Sequence, residues 1–159
     1  MQRGSRRALL ALSLAPWVVA CSTEPKLVVR EERLPLERRV NLPSGVRRVR
    51  WVAVPAFIDS GWLEAPEKPY RLYAFLELPS PAPSGATSAT RKVLLPESVA
   101  RAILPPAVPT RAAAQANQVE VDAALPPEAI AVRTAGVAVT SADRVPGGVL
   151  LQLYLPGGS

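Results

Sequence analysis

Proline is the residue that most constrains this chain, because 18 of its 159 residues are prolines and they recur along most of its length. A proline has no backbone N–H to donate and clashes with the preceding turn, so it breaks helices and is confined to the edges of sheets. This spacing argues against long helices. It predicts short strands that are joined by fixed turns.

Alternating apolar side chains mark the strands of the chain. The clearest alternation covers residues 70–78, where Leu72 and Leu76 point to one face and Tyr73 and Phe75 to the other. Gly147-Gly148 precedes the last strand and predicts a hairpin turn there. The other strands are predicted over residues 34–42, 48–53, 91–95, 118–123, 137–139 and 149–155.

One short helix is predicted over residues 97–104, where Val99, Ala102 and Ile103 fall on one side and Pro105 follows. About seven or eight short strands with turn residues between them predict a mostly β domain. The favoured architecture is an antiparallel, immunoglobulin-like β-sandwich with this one helix. An α+β sheet packed on the helix is the alternative.

The first 21 residues follow a different pattern. Arg3, Arg6 and Arg7 form a basic head, and an apolar run of thirteen residues extends from Ala8 to Ala20. A membrane span needs about 20 apolar residues, so the run has the length of a signal-peptide core instead. It ends in the sequence Val-Val-Ala-Cys at residues 18–21, which resembles the lipobox of bacterial lipoproteins.

The resemblance implies that residues 1–20 are removed as a signal peptide and that Cys21 receives a diacylglyceryl group on its sulfur. Two or three acyl chains would hold the protein durably, since each buried methylene contributes about 0.8 kcal/mol. Residues 21–33 are then a lipidated tether, and residues 34–159 form a single β-rich domain. An ordinary secretory signal with a chance cysteine is the alternative.

The implied location is the bacterial cell envelope, with the protein lipid-anchored and facing the periplasm. Ser22 stands where an aspartate retains lipoproteins in the inner membrane, which favours the outer membrane where one exists. Residues 5–10 also resemble the twin-arginine export motif, although Ala11 departs from it. The general secretory route is the favoured interpretation.

Composition narrows the chemistry of the mature chain. Removing the three signal arginines leaves 16 basic and 13 acidic residues, and a net charge of +3 does not indicate a nucleic-acid partner. The chain has no histidine and no cysteine besides Cys21. The usual general base, thiol nucleophile and soft-metal ligands are therefore missing, so neither an enzyme nor a cofactor is expected.

Carboxylates are the remaining catalytic candidates. Asp59, Glu64 and Glu67 lie in one predicted loop and could supply an acid and a base, but their proline-rich context favours a solvated turn. Glu120 and Asp122 share a strand face, yet two carboxylates do not complete a Ca²⁺ site, which takes six to eight oxygens.

Two features suggest binding. Six of the seven aromatic residues of the mature chain form a cluster within 25 residues: Trp51, Phe57, Trp62, Tyr70, Tyr73 and Phe75. Of these, Trp51, Trp62, Tyr73 and Phe75 could contact a partner or ligand, although a central strand buried on both faces is the favoured explanation. Residues 24–50 hold eight basic and four acidic residues, and near a lipid anchor they could face anionic headgroups. A solvated face with intermixed ion pairs is favoured for that segment.

These observations predict a non-catalytic envelope lipoprotein that acts as an accessory or assembly subunit of a larger envelope complex. Its expected partners are membrane lipid, through the acyl chains on Cys21, and another envelope protein. The alternative is a binding module for a glycan, lipid or peptidoglycan fragment through the aromatic face. A carboxylate-based hydrolase is a third hypothesis.

Overall fold

The computed structural model describes residues 27–56, 69–79 and 89–156. Over these residues the fold is mostly β, with seven strands and two short helices. In chain order the elements are α1 (Leu34–Glu37), β1 (Arg48–Pro55), β2 (Tyr70–Glu77), β3 (Thr90–Pro96), α2 (Glu97–Ile103), β4 (Thr110–Ala112), β5 (Gln118–Ala124), β6 (Ala138–Val145) and β7 (Gly148–Leu155).

All strand pairs are antiparallel, and the strands form one sheet in the order β1-β2-β7-β6-β5-β3, with β4 also paired to β5. Strands β5 and β6 share a single residue pair, Ala124 with Arg144. This narrow junction divides the sheet into a four-stranded part (β1, β2, β7 and β6) and a three-stranded part (β3, β5 and β4).

Strands β2 and β7 lie inside the four-stranded part and bury side chains on both faces. Leu72 opposes Leu153 on one face, Phe75 opposes Leu150 on the other, and all four side chains are buried. Strands with apolar residues on both faces need a cover on each side. The rest of the chain provides these two covers.

The two covers create two buried clusters. The cluster on the side of α2 is named the helix-side core, and its members include Val52, Tyr73, Phe75, Leu95, Ile103, Val121 and Leu150. The other is named the N-terminal core, and its largest members are Leu36, Val40, Val49, Trp51, Leu72, Leu76, Leu151 and Leu153. The helix-side core draws residues from both parts of the sheet, as in a sandwich. The prediction of a mostly β, antiparallel, sandwich-like domain is confirmed.

Helix α2 forms where the spacing of apolar residues predicts it. Val99, Ala100 and Ile103 are buried in the helix-side core, and the helix ends before Pro105. Arg50 on β1 donates from Nη2 to the carbonyl oxygen of Ala102 at 2.9 Å, which places a cation at the helix C-terminus. The bounds of α2, Glu97–Ile103, agree with the predicted range of 97–104 to within one residue.

The predicted edge strand over residues 34–42 is wrong. Pro35 lies in the first turn of α1, where its missing N–H costs nothing, and the helix continues to Glu37. Leu36 and Val40 are four residues apart, so both reach the N-terminal core from a helical turn. Only Val40 makes a β-type contact, an isolated bridge to Val132.

The predicted hairpin at Gly147-Gly148 is confirmed, since Val145 pairs with Gly148 across the turn between β6 and β7. Gly147 has a φ of +81°, which the turn requires and which glycine adopts without strain. Gly148 is needed for a different reason. A Cβ atom there would lie 2.1 Å from the carbonyl oxygen of Leu76 on β2.

We expect Gly148→Ala to lower the free energy of unfolding by about 3 kcal/mol or more, because the added methyl group displaces the backbone of β2 from β7. Gly147→Asn is the matched control, since open space surrounds that position and asparagine tolerates a positive φ. The control should cost less than about 1 kcal/mol in urea denaturation. Equal losses in the two variants would contradict the close approach of β7 to β2.

Candidate functional site

One concave surface lies at the end of the sheet where β1 and β7 finish and β2 begins. This first groove has a volume of about 540 Å³. Its apolar lining, named its floor, crosses the end of the sheet, since Val54 packs against the helix-side core and Leu72 and Leu155 lie on the side of the N-terminal core. Leu27 and Val28, the first residues that the structure describes, line it as well. The chain therefore reaches the domain beside this groove.

Arg30 is fixed at the first groove by the backbone and by an aromatic ring. The N–H of Arg30 donates to the carbonyl oxygen of Trp51 and the N–H of Trp51 donates to that of Arg30, both at 2.9 Å. The Arg30 guanidinium lies 5.2 Å from the centroid of the Trp51 ring, a cation–π contact. Trp51 is held in turn by its indole N–H, which donates to the carbonyl oxygen of Glu32 at 3.0 Å.

A second groove of about 360 Å³ adjoins the first, because both are lined by Arg39 and Leu155. Arg39 donates from Nη1 to the carbonyl oxygen of Pro35 at 2.7 Å, which holds its side chain along α1. Arg38 also lines the second groove. The charged residues that line the two grooves are Arg30, Arg38 and Arg39, without a carboxylate among the described lining residues.

Apolar side chains stand exposed around these arginines. Val28 is 64% exposed and Leu34 is 56% exposed, and Tyr70 is 41% exposed at the start of β2. All three line one of the two grooves. The first and second grooves together form one surface, and all the residues that line either groove are named the arginine face. It combines an apolar floor, apolar rims and positive charge.

The arginines of this face have no acidic partner within the described ranges. Arg33, also in this segment, forms an ion pair with Glu37 at 3.2 Å between Nε and Oε1. Of the groove arginines, none makes a salt bridge to a described carboxylate. Their charge is therefore available to an anionic ligand.

The aromatic residues singled out from the sequence do not form an exposed surface within the described ranges. Trp51, Tyr73 and Phe75 are buried in the two cores, as expected for a central strand with both faces covered. Trp62 lies outside the described residues, and so does Cys21. The aromatic contact surface thus has three of its four rings inside the domain, and Trp51 reaches the arginine face only as part of the groove lining.

The carboxylate candidates give no shared site. Asp59, Glu64 and Glu67 lie outside the described residues. Glu120 pairs with Lys92 at 2.7 Å, and Asp122 pairs with Arg111 at 3.3 Å, so both carboxylates on that strand have cationic partners. Within the part of the chain that the structure describes, no three histidine, cysteine or acidic side chains come together as metal ligands would.

One buried carboxylate was not anticipated from the sequence. Asp143 on β6 is fully buried, and its Oδ1 accepts a hydrogen bond from Nε of Arg91 on β3 at 2.6 Å, as well as one from Nη2. Arg91 remains partly exposed. The pair connects the two parts of the sheet across the narrow β5–β6 junction, so we interpret it as structural.

The chain was also compared with known proteins. No family model, curated protein or solved structure matches it significantly. Among the described residues, no helix is both long and apolar enough to span a membrane.

We expect Arg91→Met to lower the free energy of unfolding by about 3 kcal/mol, because it leaves the buried carboxylate of Asp143 without its cation. Lys92→Met on the same strand is the matched control. It removes an exposed ion pair with Glu120 and should cost at most about 1 kcal/mol. Chemical denaturation of both variants measures the difference, and a similar loss in each would refute the structural role of the buried pair.

Proposed function

We propose that this protein is a lipid-anchored component of the bacterial cell envelope, held by acyl chains on Cys21 and facing the periplasm. The observation that supports it most is the position of the only cysteine in the chain, directly after the apolar run and its Val-Val-Ala ending. The small β domain behind this anchor acts as a non-catalytic accessory or assembly subunit of a larger envelope complex.

The geometry of the domain supports a binding role. The two grooves of the arginine face combine apolar side chains with arginines, which suit recognition by contact and charge. The buried pair of Arg91 and Asp143 serves the packing of strands.

A binding module for an envelope ligand is the second candidate. Its lipid form is supported by the two grooves, where an apolar floor adjoins three arginines that have no described acidic partner. Its glycan form depended on exposed aromatic rings, and the burial of Tyr73 and Phe75 gives it less support.

We expect Cys21→Ala to abolish lipidation and to release the protein from membranes, because the acyl chains supply the durable part of the membrane affinity. Intact-mass measurement and membrane fractionation test the two effects, with Ser22→Ala as the matched control that keeps the cysteine. A Cys21→Ala protein that stays bound to membranes as firmly as the wild type would overturn the anchor.

The accessory role is tested by purifying the tagged protein in mild detergent from its own membranes. Discrete proteins in stoichiometric amounts, lost in Cys21→Ala, are the expected result. A lipidated protein that purifies alone contradicts the accessory role and favours the binding module.

A further inference from the structure

We propose that the arginine face lies against the anchoring membrane and binds an anionic phospholipid, with the lipid phosphate on Arg30 and Arg39 and an acyl chain along the floor of the first groove. The inference rests on the proposed lipid anchor for the identity of the membrane. Beyond the anchor itself, we infer which side of the domain faces the membrane and which class of lipid this side binds.

The short connection between Cys21 and the domain limits how far the domain can lie from the membrane. Leu27 follows Cys21 by six positions, and an extended chain spans at most about 3.4 Å per position, or roughly 20 Å in all. A domain of this size has a radius of gyration of roughly 13 Å, so its diameter exceeds the length of this connection. The side of the domain that carries Leu27 must therefore stay near the bilayer, and Leu27 lines the first groove.

The arginine face carries positive charge that suits a lipid phosphate. Arg30, Arg38 and Arg39 are the charged residues of the two grooves, and no described carboxylate neutralises them by a salt bridge. Guanidinium groups bind phosphate by paired hydrogen bonds. Basic residues near an anionic bilayer surface each contribute about 1 kcal/mol to membrane affinity.

Exposed apolar side chains surround these charges and suit contact with the bilayer. Val28, Leu34 and Tyr70 are exposed on the rims, and an interfacial tyrosine with aliphatic neighbours is typical of membrane contact. The first groove, at about 540 Å³, is within the range of ligand sites and has an aliphatic floor. Together the grooves offer a place for a phosphate and for a chain, which are the two halves of a phospholipid.

Two of the arginines are held in place by other parts of the domain before a ligand binds. Arg30 is held by two backbone hydrogen bonds and by its stacking on Trp51, and Arg39 is held by its bond to the carbonyl oxygen of Pro35. Fixed side chains lose less conformational freedom on binding than mobile ones. The two guanidinium groups are thus presented to a ligand before it arrives.

The test uses the mature chain, residues 21–159, with Cys21→Ser so that no acyl chain contributes to binding. Sedimentation with phosphatidylglycerol-containing vesicles is compared with sedimentation with phosphatidylcholine vesicles. We expect binding to the anionic vesicles only. Equal binding to both, or to neither, overturns the proposal and leaves the arginine face to a protein partner. Since this protein lacks the anchor, failure here says nothing against lipidation of Cys21.

Matched charge variants locate the binding surface. Arg30→Gln with Arg39→Gln should weaken binding to anionic vesicles about 30-fold, about fivefold for each arginine. Arg47→Gln with Arg48→Gln removes the same charge from exposed positions at the opposite end of β1 and should change binding less than about twofold. Equal losses in the two double variants would show that net charge alone drives binding, which contradicts the proposal.

A second pair of matched variants tests how much the exposed apolar residues contribute to vesicle binding. Leu34→Ser on the arginine face should weaken vesicle binding, whereas Leu94→Ser, at a similarly exposed leucine on β3, should leave it unchanged.

Fluorescence quenching tests the position of the acyl chain without changing a residue of the grooves. In Trp62→Phe, Trp51 is the single tryptophan of the mature chain, and phosphatidylglycerol brominated on its acyl chains should quench its fluorescence. Absence of quenching at saturating lipid contradicts an acyl chain in the first groove.

Discussion

The structure depends on the burial of strands β2 and β7 on both faces. Two adjacent strands with apolar residues at almost every position cannot face water on either side. One face is covered by α2 together with the three-stranded part of the sheet, and the other by α1 and the segments that follow it. The narrow β5–β6 junction is a consequence of this arrangement, because the sheet must turn to cover its own centre.

The cover of the second face also creates the arginine face. Leu36 and Val40 are drawn into the N-terminal core by their apolar side chains. Two of the three residues between them, Arg38 and Arg39, are thereby presented outward at the grooves. Arg30 is brought to the same surface by its backbone bridge to Trp51. Packing and surface charge in this region thus have one origin, and the chain reaches the domain at the same place.

Much of the fold could be predicted from the sequence, since strong alternation and local turn chemistry mark β2, the β6–β7 hairpin and α2. Residues 34–42 could not be assigned correctly, because Leu36 and Val40 have the same parity and are also four residues apart, which suits a strand and a helix equally. The sequence marks the basic segment but not which of its arginines meet in a groove, because residues near 30, 39, 54, 70 and 155 are joined only by tertiary structure. Asp143 gave no signal either, since its partner Arg91 lies 52 residues away.

The orientation of the domain on its membrane is the central claim, and hydrogen exchange on the lipidated protein tests it most directly. Exchange is followed by mass spectrometry in phosphatidylglycerol-containing vesicles and, for comparison, with the unlipidated Cys21→Ser chain in buffer. The account predicts slower exchange in residues 27–39 in the vesicles, with residues 91–103, which include β3 and α2, unchanged. Unchanged exchange in residues 27–39, or protection confined to residues 91–103, would contradict it.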